Sequence, residues 1–220
     1  FKVIPEHMDP LFYLSVCGLA GLTAYIGMKN VLKLEEGMTV GISGATGTCG
    51  ILLAQMAMKK GCDVIGYTST QEKADWLESL GVKSIVSENK SIEELDRETK
   101  KLVPNGFDAY QEHVSNFHLL NAINNMKLDG RIGLCGLMKS YTSQIAHGPN
   151  LLNVITNNIN IKGYVVGRQY EMWEEFQDYI LDNYQDFKFN KQILQGLDNV
   201  PTIYDNLYNA YGNGRLIIKI

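Results

Sequence analysis

Three glycines spaced three residues apart, Gly44, Gly47 and Gly50, separate a strand-like run at 39–43 from a helix-like run at 51–58. A strand that turns into a helix through such glycines is typical of the first βα unit of a dinucleotide-binding sheet. The glycines let the chain leave the strand sharply, let a phosphate approach the backbone, and let the helix pack closely. A purely structural turn has the same pattern, so that alternative stays open at this point.

Strand-like and helix-like segments alternate along most of the chain. Six β segments with helices between them predict an α/β fold with a doubly wound parallel Rossmann sheet of strand order 3-2-1-4-5-6. Right-handed crossovers then place helices on both faces of the sheet. The predicted strands are 39–43, 63–67, 84–86, 107–110, 131–135 and 160–166, and the predicted helices are 47–60, 70–80, 91–101, 116–126 and 151–156.

The two ends of the chain do not follow this alternation. Residues 1–10 contain two prolines and are interpreted as a linker. The apolar stretch 11–34 contains small residues that suit close helix contacts. After the predicted sheet we expect an aromatic-rich amphipathic helix at 171–184, an irregular segment at 191–200, a helix at 201–211 and a strand at 215–220.

Composition argues against several classes of function. The 220 residues are 45% hydrophobic and 20% charged, which is typical of a folded globular protein. The net charge of −4 argues against nucleic acid as a partner, and no apolar run reaches the roughly 20 residues of a membrane span. The four cysteines form no CxxC pair, so no metal site is predicted and reduced thiols in the cytoplasm are expected. An organelle stays an alternative, since the chain begins at Phe1 without a Met.

The end of the second predicted strand bears on which dinucleotide would bind. An NAD site uses Asp or Glu there to accept a hydrogen bond from the ribose 2′-OH, and this strand has no acid at its tip. Ser69, Thr70 and Lys73 offer hydroxyls and an ammonium group to a 2′-phosphate, which favours NADP over NAD. The alternative is that Ser69 and Glu72 form only a helix-capping box and that Lys73 is solvated.

Several segments, in their order and spacing, are similar to one group of proteins. They are GLTAY at 21–25, the glycine turn, STQEK at 69–73, GRIGLCG at 130–136 with Tyr141 beyond it, YVVGR at 164–168 and NGRLIIKI at 213–220. Over essentially the whole chain they resemble the zinc-independent medium-chain dehydrogenase/reductases, specifically the prostaglandin reductase branch.

The resemblance implies a two-domain subunit with a GroES-like catalytic domain first and a Rossmann domain second. On that template residues 1–10 are the junction, 11–186 the dinucleotide-binding domain, and 187–220 a return to a catalytic domain largely absent from this sequence. The implied activity is NADPH-dependent reduction of the C=C bond of small-molecule enones and enals by hydride transfer, with stabilisation and protonation of the enolate. The last strand of the sheet, 160–166, is expected to pair across a homodimer.

The family's site residues carry over by position. The resemblance places Gly47, Thr48, Cys49 and Gly50 at the pyrophosphate, Lys73 at the 2′-phosphate, Cys135, Gly136, Leu137 and Tyr141 along the cofactor, and Tyr164, Val165 and Val166 at the nicotinamide amide. Thr70 joins Lys73 as a cofactor-binding candidate because of its hydroxyl at the end of the second strand. Tyr141 is also the expected catalytic residue, because a phenol near the reacting end can hydrogen-bond a carbonyl or an enolate.

Three positions depart from the family's pattern. Glu88 stands where a tyrosine usually covers the adenosine phosphate, His113 replaces an asparagine, and Gly212 replaces another asparagine. These changes motivate the alternative of a catalytically degenerate, reductase-like subunit of a larger assembly. Cys49 and Cys135 are interpreted as small apolar fillers, because the sequence places no general base beside them.

Overall fold

The computed structural model describes residues 9–140, 149–208 and 214–220. Its main feature is a six-stranded parallel sheet of order β3-β2-β1-β4-β5-β6, which confirms the predicted doubly wound Rossmann architecture. The strands are β1 (Thr39–Ile42), β2 (Asp63–Thr68), β3 (Lys83–Val86), β4 (Phe107–Glu112), β5 (Met126–Leu134) and β6 (Asn160–Gly163).

Helices connect these strands and cover both faces of the sheet. The crossovers contain α3 (Thr48–Lys59), α4 (Gln71–Ser79), α5 (Ile92–Leu102), α6 (Asn116–Asn124) and α7 (Leu152–Thr156). Short polar side chains cap several of them: Thr70 accepts from the amide of Lys73, and Ser91 and Glu94 form a reciprocal capping box. The alternative interpretation of Ser69 and Glu72 as a capping box is wrong, because the cap of α4 is Thr70.

Two apolar cores lie on opposite faces of the sheet. Successive residues of a strand point to opposite sides, so Val64 of β2 packs in one core while its neighbour Ile65 packs in the other. The first core contains α3 and the N-terminal helices α1 (Pro10–Ser15) and α2 (Leu19–Ile26), and α2 continues as a π-helical turn at Gly27–Val31. The second core contains α5 and α6. This double burial explains the nearly continuous apolar strands.

The segment before the C-terminus forms its own two-stranded sheet. Helix α8 (Trp173–Asp182) follows the main sheet, and β7 (Lys191–Gln195) then pairs in parallel with β8 (Arg215–Lys219). The prediction of an irregular segment at 191–200 is therefore wrong. Alternate residues of β7 are exposed, so its apolar pattern is weak, and its pairing partner lies beyond α9 (Val200–Tyr208).

The bounds of all six strands shift slightly from the prediction, and two of them, in β5 and β6, shift by three residues or more. β5 begins at Met126 rather than 131, because its first residue pairs with Phe107 before a register shift interrupts the ladder. Asp129 adopts a positive φ of 59° in this irregular part. β6 ends at Gly163 rather than 166, and a 3-10 turn begins at Val166.

Candidate functional site

A cavity of about 830 Å³ lies at the carboxyl ends of the parallel strands. Chain segments after β1, β2, β3, β4 and β5 all contribute to its wall. The order of the sheet reverses between β1 and β4, and ligands of doubly wound sheets bind in the crevice outside such a switch point. The volume falls in the range of ligand pockets, which is roughly 300–1,000 Å³.

The glycine turn forms the floor of this cavity between β1 and α3. Gly44 has φ +57°, a left-handed conformation that favours glycine. A Cβ at Gly50 would lie 2.5 Å from the carbonyl oxygen of Gly44 and 2.9 Å from Cα of Ala45, so α3 approaches the turn too closely for any side chain there. Gly50 therefore lets the helix pack against the turn itself.

The first turn of α3 presents backbone donors to the cavity. The amide of Gly47 donates to the carbonyl of Gly44 at 3.0 Å, so it is already used within the turn. The amides of Thr48, Cys49 and Gly50 begin the helix and have no carbonyl within it to bond. All three residues line the cavity. The helix dipole adds partial positive charge there, an arrangement that suits a phosphate.

Lys73 supplies a cation beside the end of β2. Its side chain is only 8% exposed, and its Nζ lies 3.2 Å from Oγ of Ser69. Burial lowers the pKa of the Lys73 ammonium, and the charges of Glu72 and Glu88 act in the opposite direction. Lys73, Ser69 and Thr68 line the cavity, and no acid stands at the tip of β2. This donor set fits a phosphate rather than a ribose hydroxyl.

Glu88 is paired with a lysine. Its carboxylate was expected to repel a 2′-phosphate. Its Oε2 accepts from Nζ of Lys139 at 3.2 Å, and both residues line the cavity. Both side chains are about half exposed, so water screens the pair. Lys139 thus offsets the negative charge of Glu88, and the sequence analysis did not identify this lysine as a site residue.

Ser43 and His113 connect β1 to β4 at the switch point. The amide of His113 donates to Oγ of Ser43 at 2.7 Å, and its Nδ1 donates to the carbonyl of Ser43 at 2.7 Å. The buried carboxylate of Glu112 accepts from the amides of Val114 and Ser115 at 2.5 and 2.8 Å. Burial raises the pKa of Glu112 to about 7, despite these two hydrogen bonds. The loop that carries His113 is therefore held from both sides.

His113 lies against two cysteines that line the same cavity. One ring nitrogen of His113 and the sulfurs of Cys49 and Cys135 lie within 4.8 Å of one another. Nε2 of Gln111 donates to Sγ of Cys135 at 3.2 Å. The hydrogen bond from Cys49, with the charge of His113, lowers the pKa of the Cys135 thiol. The expectation that no base stands beside these cysteines is wrong, because β4 and β5 bring His113 to them.

A second histidine, His118, lies buried deeper in the wall. Its Nδ1 lies 2.9 Å from Oγ of Ser115 and its Nε2 2.9 Å from Oγ of Ser87. Burial, with a smaller effect of Lys139, lowers the pKa of His118 to about 4. The histidine is therefore neutral at pH 7 and acts as a hydrogen-bonding bridge between the ends of β3 and β4.

The C-terminal segment closes the cavity from outside the main sheet. Apolar side chains of α9 and β8 form this wall, and Arg215 adds a further cation. The lining residues here are Val200, Ile203, Tyr204, Gly214, Arg215, Leu216 and Ile218. An apolar wall opposite a polar, phosphate-compatible floor suits a ligand with a ring at one end and phosphates at the other.

The structure brings together about half of the residues that the sequence places at the cofactor. Those that line the cavity are Gly47, Thr48, Cys49, Gly50, Lys73, Cys135 and Gly136. Thr70 caps α4, Leu137 and Val166 do not line the cavity, and Val165 is exposed. The Tyr164 hydroxyl instead lies 3.2 Å from the carbonyl oxygen of Thr23 and 3.2 Å from Oε1 of Gln111, either of which can accept its one proton. Tyr141 and Gly212 lie outside the described residues.

Several cavity residues were not predicted from the sequence. Lys139, Ser87 and His118 belong to loops or helix starts without a local motif, and α9 and β8 reach the cavity only through the fold. The carboxylate of Glu88 could have suggested Lys139, because an acid that faces a phosphate site requires a cation beside it. No local pattern identifies the others, since they lie far apart in the sequence.

Comparison with known proteins agrees with this geometry. The family model described as zinc-binding dehydrogenase matches residues 48–184. The NADP(+)-dependent 2-alkenal reductase of Nicotiana tabacum is 29% identical over 223 residues, covering 100% of this chain and 65% of that protein. Prostaglandin reductase 1 of Bos taurus is 31% identical over 226 residues, covering 99% of this chain and 68% of that protein.

A solved structure has the same architecture. CurA from Vibrio vulnificus in complex with NADPH superposes with a TM-score of 0.88 at 26% identity, covering 100% of this chain and 67% of that one. The chain thus spans about two thirds of the length of these relatives. The family model covers more than half of the chain, so this protein belongs to the zinc-binding dehydrogenase family, the medium-chain dehydrogenase/reductases, in the branch that includes the prostaglandin reductases.

Proposed function

We propose that this chain is the cofactor-binding part of an NADPH-dependent reductase of the C=C bond of α,β-unsaturated ketones and aldehydes. The single observation that carries the proposal is the cavity at the switch point, which combines a glycine turn, free helix amides and a buried lysine with an apolar opposite wall. The relatives named above are called reductases, which favours a catalytic interpretation over that of a degenerate structural subunit.

The described residues fit NADPH in three places. The amides of Thr48, Cys49 and Gly50 would hold the pyrophosphate at the start of α3. Lys73 would hold the 2′-phosphate, with Ser69 and Lys139 nearby. NADPH supplies the hydride when it is bound. The apolar side chains of α9 and β8 would exclude water from the reacting end, which strengthens every electrostatic contact there.

The remaining predicted site residues keep their proposed roles. Cys135 and Gly136 follow β5 into the cavity and would run beside the cofactor. Tyr164, Val165 and Val166 would offer backbone groups to the nicotinamide amide. Tyr141 is proposed as the phenol near the reacting centre, where it would stabilise the enolate.

The proposed domain organisation is a junction at 1–10, a dinucleotide-binding domain at 11–186 and a return segment at 187–220. The separate β7–β8 sheet supports a return segment distinct from the main sheet, because its strands pair only with each other among the described residues. A homodimer through the edge of β6 is proposed as well. On its outer side β6 pairs with no strand in the described part of the chain, and Ile155 and Leu152 nearby are exposed.

No helix of the described residues is both long and apolar enough to cross a membrane. We propose a cytoplasmic location, which would keep the four cysteines reduced. All four are free thiols in the structure.

The experiment that tests the function is turnover of a medium-chain enal by the full-length protein with NADPH. The expected result is equal amounts of oxidised cofactor and of the aldehyde with a saturated Cα–Cβ bond. Reduction of the carbonyl to an alcohol, or no product from a protein that binds NADPH, would contradict the assigned reaction.

A further inference from the structure

The side chains of Cys49, His113 and Cys135 form a cluster to which the proposed reductase function gives no role, because that function uses only the backbone of Cys49 and the path of the chain at Cys135. Three separate elements supply its members: the first turn of α3, the loop after β4 and the loop after β5. Their ligand atoms, two sulfurs and one imidazole nitrogen, lie within 4.8 Å of one another. No other group of three His, Cys, Asp or Glu ligand atoms is this close among the described residues.

The orientation of His113 leaves one nitrogen available for a ligand. Its Nδ1 donates to the carbonyl of Ser43 at 2.7 Å, which fixes the ring and leaves Nε2 as the nitrogen that a metal ion could bind in place of a proton. Nε2 is enclosed and faces the sulfurs, and the protonated ring forms a hydrogen bond with Cys135 that a bound metal ion would replace. Metal-bound histidines commonly donate their second ring N–H to a backbone carbonyl in this way.

The surroundings of Cys135 suit a thiolate, whereas the hydrogen bond with Cys135 and burial raise the pKa of the Cys49 thiol, so Cys49 would lose its proton only on binding a metal ion. Cys49 is the second residue of α3, where the helix dipole favours negative charge. Gln111 donates from Nε2 to Sγ of Cys135 at 3.2 Å, and its other contacts hold it in place. Hydrogen bonds of this kind to sulfur are typical of the shell around a metal-bound cysteine.

We propose that Cys49, His113 and Cys135 bind one zinc ion, or a similarly thiophilic divalent cation, in the wall of the cavity. Two thiolates and one imidazole are a ligand set that zinc prefers, and three protein ligands leave the fourth position for water or another ligand from the cavity. Zinc–sulfur bonds of about 2.3 Å and zinc–nitrogen bonds of about 2.0 Å separate tetrahedral ligands by roughly 3.5–3.8 Å. The three atoms need to move inward by only a small distance.

A disulfide between Cys49 and Cys135 accounts for the cluster less well. It would use both sulfurs and leave Nε2 of His113 buried without a partner, which is costly. A cation uses all three groups. The inference does not depend on the proposed reductase activity, because the ligands and their orientation stand without a cofactor.

The test is an anaerobic titration of the reduced, metal-free full-length protein with Co²⁺, followed by displacement with Zn²⁺. We expect one equivalent of Co²⁺ to give a thiolate-to-metal charge-transfer band and strong visible bands of tetrahedral cobalt, both removed by Zn²⁺. The Cys49→Ser/Cys135→Ser double variant should lose them. Cys62→Ser should keep both bands, because the Cys62 thiol lies beyond the opposite end of α3 and donates to the backbone carbonyl of Glu35.

A second measurement uses the unmodified protein and so does not depend on the folding of a variant. Zn²⁺ should protect Cys49 and Cys135 from alkylation, as read by peptide mass spectrometry, and leave the alkylation of Cys62 unchanged. No charge-transfer band in the reduced protein, an unchanged band in the double variant, or equal alkylation with and without Zn²⁺ would overturn the proposal.

Discussion

Nζ of Lys139 lies 3.2 Å from Oε2 of Glu88 in the wall of the cavity. An acid that faces the proposed 2′-phosphate position is thus paired with a lysine from the segment after β5. Glu88 also acts on the charge of the buried Lys73. Lys73, Lys139 and Glu88 together carry one net positive charge on this side of the cavity.

Replacing Glu88 should therefore strengthen NADPH binding. In Glu88→Gln the repulsion between carboxylate and 2′-phosphate disappears, and Lys139 can turn to the phosphate. A partly exposed charge pair is worth up to roughly 1 kcal/mol, so we expect about a fivefold lower Kd for NADPH and little change for NADH, measured by fluorescence titration. Glu72→Gln is the matched control, because Glu72 also acts on Lys73 but does not line the cavity. Weaker NADPH binding by Glu88→Gln would contradict the account.

Gly50→Ala should destabilise the fold and not only the site. Its Cβ would lie 2.5 Å from a backbone oxygen and 2.9 Å from a backbone carbon, and neither can move without opening the turn. We expect a loss of roughly 1–3 kcal/mol in the free energy of unfolding, measured by urea denaturation. Gly163→Ala is the control, since nothing lies within 4 Å of its Cβ position. Equal stability of the two variants would show that α3 does not pack as described.

His118 should make the protein less stable as pH falls. Its pKa is about 4 in the folded state against about 6.5 when unfolded, so the unfolded chain binds the additional proton between these values. The stability due to neutral His118 is complete above pH 6.5 and is lost as pH falls towards 4, by a total on the order of 3 kcal/mol. Glu112, with a pKa raised to about 7, acts in the opposite direction over part of this range.

The measurement is therefore a difference between two proteins. The free energy of unfolding of the unmodified protein minus that of His118→Gln should decrease as pH falls from 6.5 to 4, because Glu112 is common to both. A difference that stays constant over this range would show that His118 is not buried in its neutral form.

The alternation of apolar segments with glycine and polar breaks predicted the main sheet, since strands buried on both faces and helices packed on them have strong patterns. β7 was missed because it is a half-exposed strand whose partner, β8, lies beyond a helix. The cluster at His113 could not be predicted either. Its cysteines come from α3 and the loop after β5, and only parallel pairing of β1, β4 and β5 brings their ends together.

The glycine turn and Lys73 were predicted because each belongs to a local motif with a physical role at that position. The pairing of Glu88 with Lys139, and the bridge from His118 to Ser87, are long-range contacts between loops. These contacts depend on side-chain geometry in the folded protein, which the residues next to them in the sequence do not indicate.

The central claim is that this cavity binds NADPH through the helix α3 amides and Lys73. The most direct test is a fluorescence titration of the full-length protein and of Lys73→Ala with NADPH and with NADH, using Lys83→Ala as a surface-lysine control. We predict that NADPH binds more tightly than NADH, and that Lys73→Ala weakens NADPH by about tenfold or more, or ~1.4 kcal/mol, while NADH changes little. Equal losses for both cofactors, or no binding of either below the millimolar range, would contradict the account.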